Sequence, residues 1–178
     1  MTAVEVVQET LEGLGLPWER QGDTFTVSLP GEHKLTTECA LEVGAHSVQL
    51  RAFVARAPEQ DADRVHRWLL ERNLRLGGVA FGVDHLGDVY LLGRLPVVGL
   101  VADSVDQLLG VVAETADASF DPLVAMGFAD SIRREWVWRR SRGESTANLA
   151  AFTALDPDAP NAPNAPNAPD APRAPNAP

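Results

Sequence analysis

Residues 18–56 read WERQGDTFTVSLPGEHKLTTECALEVGAHSVQLRAFVAR, and apolar and polar residues alternate in three runs of this stretch. The apolar side of the first run, residues 18–31, carries Phe25, Val27 and Leu29 and ends at Pro30-Gly31. The apolar side carries Leu35, Thr37, Cys39, Leu41 and Val43 in the second run and Val48, Leu50, Ala52 and Val54 in the third. A two-residue period is typical of strands, and Gly and Pro separate the runs. We therefore predict a three-stranded antiparallel meander.

A helix precedes this meander, and a helix and a hairpin follow it. The first helix is ended by Gly13, Gly15 and Pro17, and its apolar residues recur at three- and four-residue steps, at Val4, Val7, Leu11 and Leu14. The second helix, DADRVHRWLLERNLRL at residues 61–76, has one apolar face with Val65, Leu69 and Leu76, and Trp68 beside it. Residues 77–96 alternate at Val79, Phe81 and Val83, turn at Gly87 within DHLGD, and return through residues 89–95. This pattern predicts a hairpin.

The C-terminal half is predicted to be helical. A third helix, SVDQLLGVVAETAD at residues 104–117, takes Asp103 or Ser104 as its N-cap. A break at residues 118–122 separates it from a fourth helix, which starts at Pro122 and stacks Val124, Phe128, Ile132 and Trp136 at four-residue steps. The order α-β-β-β-α-β-β-α, followed by this fourth helix, predicts an α+β domain with an antiparallel sheet of about five strands and helices packed on it.

Composition indicates one domain followed by a tail. Of the 178 residues, 45% are hydrophobic, which is typical of a globular protein. We assign residues 1–150 to a single domain and residues 151–178 to an Asp/Asn-Ala-Pro repeat tail, where proline at every third position favours an extended chain. No apolar run reaches the ~20 residues of a membrane helix, and Cys39 has no second cysteine to pair with. These features together predict a cytoplasmic protein.

Acidic residues dominate the chain, but not uniformly. The formal net charge of -10 at pH 7 weighs against a general nucleic-acid binder, because such proteins bind mainly by neutralising phosphates. Residues 1–50 contain eight acidic and two basic residues, whereas residues 133–143 contain five arginines and one glutamate. The two ends of the chain are therefore expected to attract each other, within one fold or between two copies.

Known catalytic, cofactor and metal motifs are not evident in the sequence. The dispersed candidate ligands lack the close spacing of zinc ligands, and they are His33, Cys39, His46, His66 and His85. Cys39 lies among apolar residues, as a small buried thiol does. Acid–base chemistry at Glu5, Glu9 and Glu12, on an exposed helix face, would need one of them in a pocket with a shifted pKa. We expect no cofactor, metal ion, catalytic residue or small-molecule ligand.

The cluster RREWVWRRSRG, residues 133–143, is the strongest candidate site. On a helix, Trp136 and Trp138 lie about 200° apart. Trp136 continues the apolar stack and is expected to be buried. Trp138 lies four residues from both Arg134 and Arg142, which permits cation–π stacking of about 0.5–1 kcal/mol per exposed contact. Because Trp and Arg are enriched at interface hot spots, we predict that Trp138, Arg134 and Arg142 contact a protein partner.

A resemblance to the YbjN-domain family extends over most of residues 1–143. It is carried by LRLGGVAFGVDHLGDVYLLGRLP at residues 74–96, VDQLLGVVAETADASFDPLVAMGF at 105–128 and IRREWVWRRSRG at 132–143. It looks closest to actinobacterial members, which suits a chain with Lys34 as its only lysine among 15 basic residues. The resemblance implies a fold similar to type III secretion chaperones, commonly homodimers that hold unfolded or extended partner segments. The family is described as sensory transduction regulators without established chemistry, so no active-site residues carry over.

Three functions are compatible with these observations. The first is a non-enzymatic protein-binding module, chaperone-like or regulatory, that acts as a homodimer and binds an unknown protein partner. The alternative is a nucleic-acid-linked regulator that uses the Arg/Trp cluster at residues 133–142, with binding that falls steeply as salt rises. The third is an enzyme with a cryptic carboxylate site, which would require a closed polar pocket.

Overall fold

The computed structural model describes residues 1–159. In chain order its elements are α1 (Ala3–Leu14), β1 (Trp18–Gln21), β2 (Thr24–Pro30), β3 (Thr36–Val43), β4 (Ser47–Ala55), α2 (Ala62–Asn73), β5 (Val79–Val83), β6 (Val89–Pro96), α3 (Ala102–Gly127), α4 (Ala129–Arg142) and a final 3₁₀ helix (Ala147–Leu155). The predicted domain boundary at residue 150 falls inside this 3₁₀ helix, and the domain assignment stays a prediction. The extended geometry predicted for the repeats from residue 160 onward lies outside the described residues.

Six antiparallel strands form one sheet in the order β1-β2-β3-β4-β6-β5. The chain passes from β4 through α2 to the edge strand β5, and β6 then returns between β5 and β4. Val27 pairs with Cys39, and Cys39 pairs with Ala52, so the apolar sides of the three runs lie on one face of the sheet. The predicted α+β class, meander and hairpin are confirmed.

Helices cover that apolar face of the sheet. α3 contacts each strand from β2 to β6, α1 packs against α3, and α2 packs against β5 and α3. Phe25, Leu41 and Leu50 are among the largest fully buried side chains of the core. Burying a side chain of this size stabilises the fold by about 1.5–3 kcal/mol. The opposite face of the sheet carries mainly polar residues, as the alternation requires.

The sheet has one strand more than predicted, because residues 18–31 form two strands rather than one. The chain turns after β1 at Gly22, whose φ is +62°, a conformation that glycine adopts at little steric cost. Trp18 then pairs with Val27 and faces the core side. A signal for this turn exists in the sequence: in a single continuous strand, Trp18 would lie on the side opposite Phe25 and Val27.

α3 runs through Pro122 to Gly127, so the predicted break at residues 118–122 and the helix start at Pro122 are wrong. Ser119 and Leu123 are fully buried on the core side of α3. Their packing holds the helix together across the proline, although proline removes one backbone hydrogen bond there. Local propensity is overridden in this segment by burial.

The break between α3 and α4 lies instead at Phe128, whose φ is -136°. A segment distant in sequence accounts for it. The carbonyl oxygen of Gly127 accepts hydrogen bonds from the backbone N–H groups of Glu59 and Gln60, at 2.9 and 3.1 Å. Gln60 Oε1 accepts a further bond from the N–H of Asp130 at 2.9 Å. The end of one helix and the start of the next are therefore both satisfied by the loop before α2.

Two smaller expectations are also corrected. α3 begins after Val101 without a side-chain cap bond, so neither Asp103 nor Ser104 is its N-cap. Leu35 does not share the buried side of its run, because β3 begins only at Thr36 and Leu35 is 79% exposed in the preceding loop.

The edge strand β5 is protected by one side chain of α2. Asn73 Oδ1 accepts a hydrogen bond from Phe81 N at 2.7 Å, and Asn73 Nδ2 donates to Phe81 O at 3.1 Å. The amide thus occupies the outward backbone groups that a further strand would use, and an unpaired edge strand promotes association.

Replacing Asn73 with alanine is expected to destabilise the protein by about 1–3 kcal/mol, because both backbone groups of the buried residue Phe81 lose their partners. Asn73→Asp keeps the acceptor but loses the donor, so its loss should be smaller. Chemical denaturation followed by far-UV circular dichroism measures the difference. Equal stability of Asn73→Ala and wild type would contradict this role of the amide.

Candidate functional site

α4 separates the two tryptophans of the cluster at residues 133–143, as predicted. Trp136 is buried, whereas Trp138 is 43% exposed. The helix ends at Gly143, and the arginines of its last turn lie at the negative end of the helix dipole. The cluster therefore contains one tryptophan that belongs to the packed interior and one that lies on the surface of the same helix.

Trp136 joins α4 to the C-terminal 3₁₀ helix. It packs with Ile132 and Leu149 in a small apolar cluster distinct from the main core. The same cluster receives the partly buried side chains of Val124, Phe128, Phe152 and Leu155. Leu149, Phe152 and Leu155 all pack into this cluster, although the 3₁₀ segment is kinked at Phe152, whose φ of -117° is not helical. The predicted stack is confirmed as a packing unit, although it crosses the helix break at Phe128.

Arg140 covers the outer side of Trp136. Its guanidinium carbon lies 4.9 Å from the centroid of the indole. The same group binds the carboxylates of Asp156 and Asp158. The hydrogen bond from Arg140 holds the pKa of Asp156 below its usual value. Arg140 therefore fastens the chain that follows the 3₁₀ helix onto α4.

The exposed surface around Trp138, hereafter the Trp138 surface, contains an indole with the guanidinium of Arg142 stacked on it. The guanidinium carbon of Arg142 lies 5.3 Å from the Trp138 ring centroid. Val137 is 56% exposed next to it along the helix. Beside the indole is an open groove of about 480 Å³, with Arg134, Glu135, Trp138, Arg139 and Glu144 as its lining residues.

Only one half of the predicted Arg–Trp–Arg stack is present. Arg134 reaches the groove wall, but its guanidinium donates to Ser131 Oγ at 2.7 Å and lies 3.8 Å from Glu59. The contact of Arg142 with Trp138 is formed. The structure thus brings Trp138, Arg134 and Arg142 to one surface and leaves Arg142 alone against the indole.

Most arginines of the cluster are paired with carboxylates of the same chain. Arg133 lies 2.7 Å from Asp130, and Arg139 lies 2.6 Å from Glu135 and 3.8 Å from Glu144. Arg134 and Arg140 have the acidic partners described above. Within residues 1–159, Arg142 alone among the cluster's five arginines has no carboxylate within salt-bridge distance. The local excess of positive charge in the sequence is therefore largely neutralised in the fold.

Sequence reasoning missed the acids that come from outside α4. The pairs Asp130–Arg133 and Glu135–Arg139 have the three- and four-residue spacing of helix neighbours and were visible in the sequence. Glu59 precedes α2, and its approach to Arg134 depends on the position of the break at Phe128. No local pattern indicates that contact.

The other sequence candidates do not converge on a site. Residues 1–159 contain no group of three or more His, Cys, Asp or Glu side chains placed to hold a metal ion. Burial raises the pKa of the Cys39 thiol to about 12, as expected of a buried core thiol. On α1, Glu5 accepts the backbone N–H of Thr2, and this bond lowers the pKa of Glu5. Glu9 and Glu12 are exposed.

An ionic contact between the β2–β3 loop and α3 was not apparent from the sequence. His33 Nδ1 lies 2.6 Å from Asp121 Oδ2. Asp117 Oδ1 accepts the backbone N–H groups of His33 and Lys34, both at 2.8 Å. The hydrogen bond to Asp121 raises the pKa of His33, and the charge of that carboxylate adds to the effect.

This contact is expected to make stability depend on pH. The folded-state pKa of His33 is raised, so its stabilising contribution is full below the unfolded pKa of about 6.5 and is lost as pH rises through the folded pKa. The difference in unfolding free energy between wild type and His33→Gln should therefore shrink as pH rises. Denaturation at about pH 5.5 and about pH 8.5 measures it. A difference that stays constant or grows with pH would rule out this ionic contact.

Two mycobacterial proteins are similar to this chain over most of its length. An uncharacterized protein of Mycobacterium tuberculosis is 46% identical over 162 residues, which cover 88% of each chain. An uncharacterized protein of Mycobacterium leprae is 46% identical over 134 residues, or 75% of this chain and 73% of that protein.

Within residues 1–159, no helix combines the length and apolar character needed to cross a membrane.

Solved structures resemble part of the chain. One is the heterodimeric complex ExoU-SpcU of the Pseudomonas aeruginosa type III secretion system, with 20% identity and a TM-score of 0.49 over 65% of this chain and 94% of that chain. Another is YbjN of E. coli, with 13% identity and a TM-score of 0.45 over 64% of this chain and 90% of that chain.

Family membership rests on the sequence match. Residues 3–125 match the family model described as "YbjN: Putative bacterial sensory transduction regulator". The match contains the hairpin and most of α3, two of the segments on which the resemblance was based, and it ends before α4. With a model that spans more than half of its length, this chain belongs to the YbjN family.

Proposed function

We propose that this protein is a non-enzymatic protein-binding module, chaperone-like or regulatory, that acts as a homodimer. The observation that carries the proposal is the Trp138 indole, which is 43% exposed and held by Arg142 beside the exposed Val137. Tryptophan and arginine are the residues most enriched at the energetic centres of protein interfaces. The Trp138 surface is therefore the proposed contact for a protein partner, with Arg134 on its groove wall.

The charge balance of this surface supports a protein partner over a nucleic acid. Nucleic-acid binding draws its affinity from cations that are free to neutralise phosphates. Here Arg133, Arg134, Arg139 and Arg140 already lie near carboxylates of the same chain. Among the described residues, Arg142 is the one arginine of the cluster without a carboxylate partner, and an aromatic surface with such a guanidinium fits the polar rim and aromatic centre of a protein interface.

The homodimer is supported by the uncovered face of the sheet. The described helices lie on the other face, and residues such as Thr26, Gln49 and Leu92 are exposed. Twofold dimers are by far the commonest symmetric oligomers, and this face offers the surface for such a pair. The dimer and the Trp138 surface are separate parts of the proposal, because they occupy different regions of the fold.

Affinity capture from native cytoplasm tests the Trp138 surface. Immobilised wild-type protein is expected to retain specific proteins that Trp138→Ala loses and Arg142→Ala retains less well. Leu74→Ala, which truncates an 86% exposed leucine on another surface, should behave as wild type. Unchanged capture by both Trp138→Ala and Arg142→Ala would withdraw the interface role. Binding of nucleic acid in low salt, lost on adding salt, would favour the regulator alternative instead.

Light scattering tests the homodimer. The wild-type mass is expected to correspond to two chains at micromolar concentration, and Trp138→Ala should not change it. A single-chain mass at every concentration would remove the dimer from the proposal and leave the Trp138 surface to the capture experiment.

A further inference from the structure

The uncovered face of the sheet has an acidic half and a basic half. Glu19 on β1 and Glu38 and Glu42 on β3 project from the half formed by β1, β2 and β3. Arg51 on β4 and Arg94 on β6 project from the other half. All five are exposed, and the strand registers place them on the side opposite Phe25, Cys39 and Leu50.

Neighbouring residues position the two arginines on this face, but acidic and basic side chains of the two halves do not pair with each other within the described residues. Arg51 stacks on Tyr90, with 3.9 Å from guanidinium carbon to ring centroid, and its Nη2 lies 3.7 Å from Asp84. Arg94 Nη2 donates to Gln49 Oε1 at 3.3 Å. Within the part of the chain that the structure describes, none of Glu19, Glu38, Glu42 and Arg94 forms a salt bridge. Their charge is thus available to an incoming surface.

The centre of the face is recessed, and apolar side chains lie there on both sides of Arg51. One cross-strand row contains Ala40 on β3, Arg51 on β4, Leu92 on β6 and Ala80 on β5. Leu92 is 45% exposed. The small side chains of Ala40 and Ala80 leave a groove of about 740 Å³ around this row. Apolar side chains surrounded by polar and charged ones are the arrangement found in specific interfaces.

The charge pattern is complementary to itself for one symmetry only. A twofold axis that runs along the strands between β3 and β4 exchanges the two halves of the sheet. It places the acidic half of one copy over the basic half of the other. A twofold axis across the strands would instead bring like charges together, which costs energy and suppresses that pairing.

We infer that two copies of this chain pack their uncovered sheet faces against each other about the axis parallel to the strands. The inference rests on the homodimer of the proposed function and assigns it an interface. In that arrangement Glu38 and Glu42 of each copy face the strands that carry Arg51 and Arg94 of the other. Leu92 of each copy lies over the small side chains of the opposite β2 and β3.

The size of the face agrees with a second copy as its occupant. Six strands about 4.8 Å apart and about seven residues long give a face of roughly 600 Å² per copy. A pair buries on the order of 1,200 Å², the lower limit of stable protein interfaces. Because charge complementarity contributes much of such an interface, its affinity should fall as salt rises.

Two charge-reversed variants test this interface. Arg51→Glu/Arg94→Glu makes both halves of the face acidic, and Glu38→Arg/Glu42→Arg leaves Glu19 as the one acid among the five named side chains. In sedimentation experiments where wild type is a dimer, each variant alone should self-associate at least about tenfold more weakly. An equimolar mixture should form a heterodimer, because every acidic half then meets a basic half. Trp138→Ala serves as the matched control and should remain a dimer.

Each outcome separates this inference from the proposed function. If wild type is a single chain at all concentrations, the homodimer and this interface both fail. If wild type is a dimer and both variants dimerise as well as wild type, or the mixture does not associate, only this interface fails. Melting curves establish that the variants fold. Should either variant not fold, Glu42→Gln and Arg94→Gln replace them, and an unchanged salt dependence of dimerisation would overturn the inference.

Discussion

Replacing Trp136 with alanine is expected to lower the free energy of unfolding by about 3 kcal/mol. Trp136 is 6% exposed, and its removal leaves a cavity between α4 and the C-terminal 3₁₀ helix. Ile132 and Leu149, which are buried in the same cluster, would lose the indole from their packing. The loss should fall at the lower end of the range for large aromatic residues, because Trp136 Nε1 is buried without a hydrogen-bond partner among the described residues.

Trp136→Phe is the matched control for this prediction. It keeps an aromatic ring in the cluster and removes the unpaired N–H, so its cost should be below about 1.5 kcal/mol. Trp138→Ala, two residues away on the exposed side, should change stability by less than about 1 kcal/mol. Urea denaturation followed by far-UV circular dichroism compares the three variants. Equal losses of unfolding free energy for Trp136→Ala and Trp138→Ala would contradict the conclusion that α4 buries Trp136 and exposes Trp138.

Replacing Trp138 with alanine is expected to weaken binding of the captured protein partner by at least about 2 kcal/mol, or roughly 30-fold in the dissociation constant. The indole is the largest exposed side chain of the Trp138 surface, and it is already positioned by Arg142. A partner therefore gains its contact area with little further loss of side-chain freedom. Titration calorimetry with the purified partner measures this change.

Two variants resolve what Trp138 contributes. Trp138→Phe retains aromatic area and should lose less affinity than Trp138→Ala. Arg142→Ala removes the stacked guanidinium and should weaken binding by a smaller factor, since one exposed cation–π contact is worth about 0.5–1 kcal/mol. An affinity for Trp138→Ala within a factor of two of wild type would place the partner contact elsewhere.

Much of the fold follows from local pattern. The alternation in β2 and β4 indicates the buried residues correctly, because one face of the sheet is buried and the other is exposed to solvent. The hairpin turn was visible in DHLGD, where Gly87 has a φ of +88°. What local pattern did not reveal depends on distant contacts. The helix break lies at Phe128 because the loop before α2 satisfies the backbone there, and Pro122 is accommodated because its neighbours are buried.

For the candidate site too, local pattern predicts some features and distant contacts determine the others. Helical spacing alone separated the buried Trp136 from the exposed Trp138. The charge state of their surroundings was not predictable, because Glu59, Asp156 and Asp158 reach α4 only through the tertiary fold. With those carboxylates in place the cluster is an aromatic surface rather than a basic patch, and within residues 1–159 Arg142 is its one arginine without a carboxylate partner.

The most direct test of the account is site-specific cross-linking from position 138. A photo-reactive phenylalanine analogue replaces Trp138 in one variant and Leu74 in a control, and both are irradiated in a lysate of the native cells. We predict a discrete protein adduct from position 138 that is absent from position 74 and is competed by added wild-type protein. No adduct at position 138, the same adducts at both positions, or an adduct to nucleic acid would contradict the Trp138 surface as a protein-binding site.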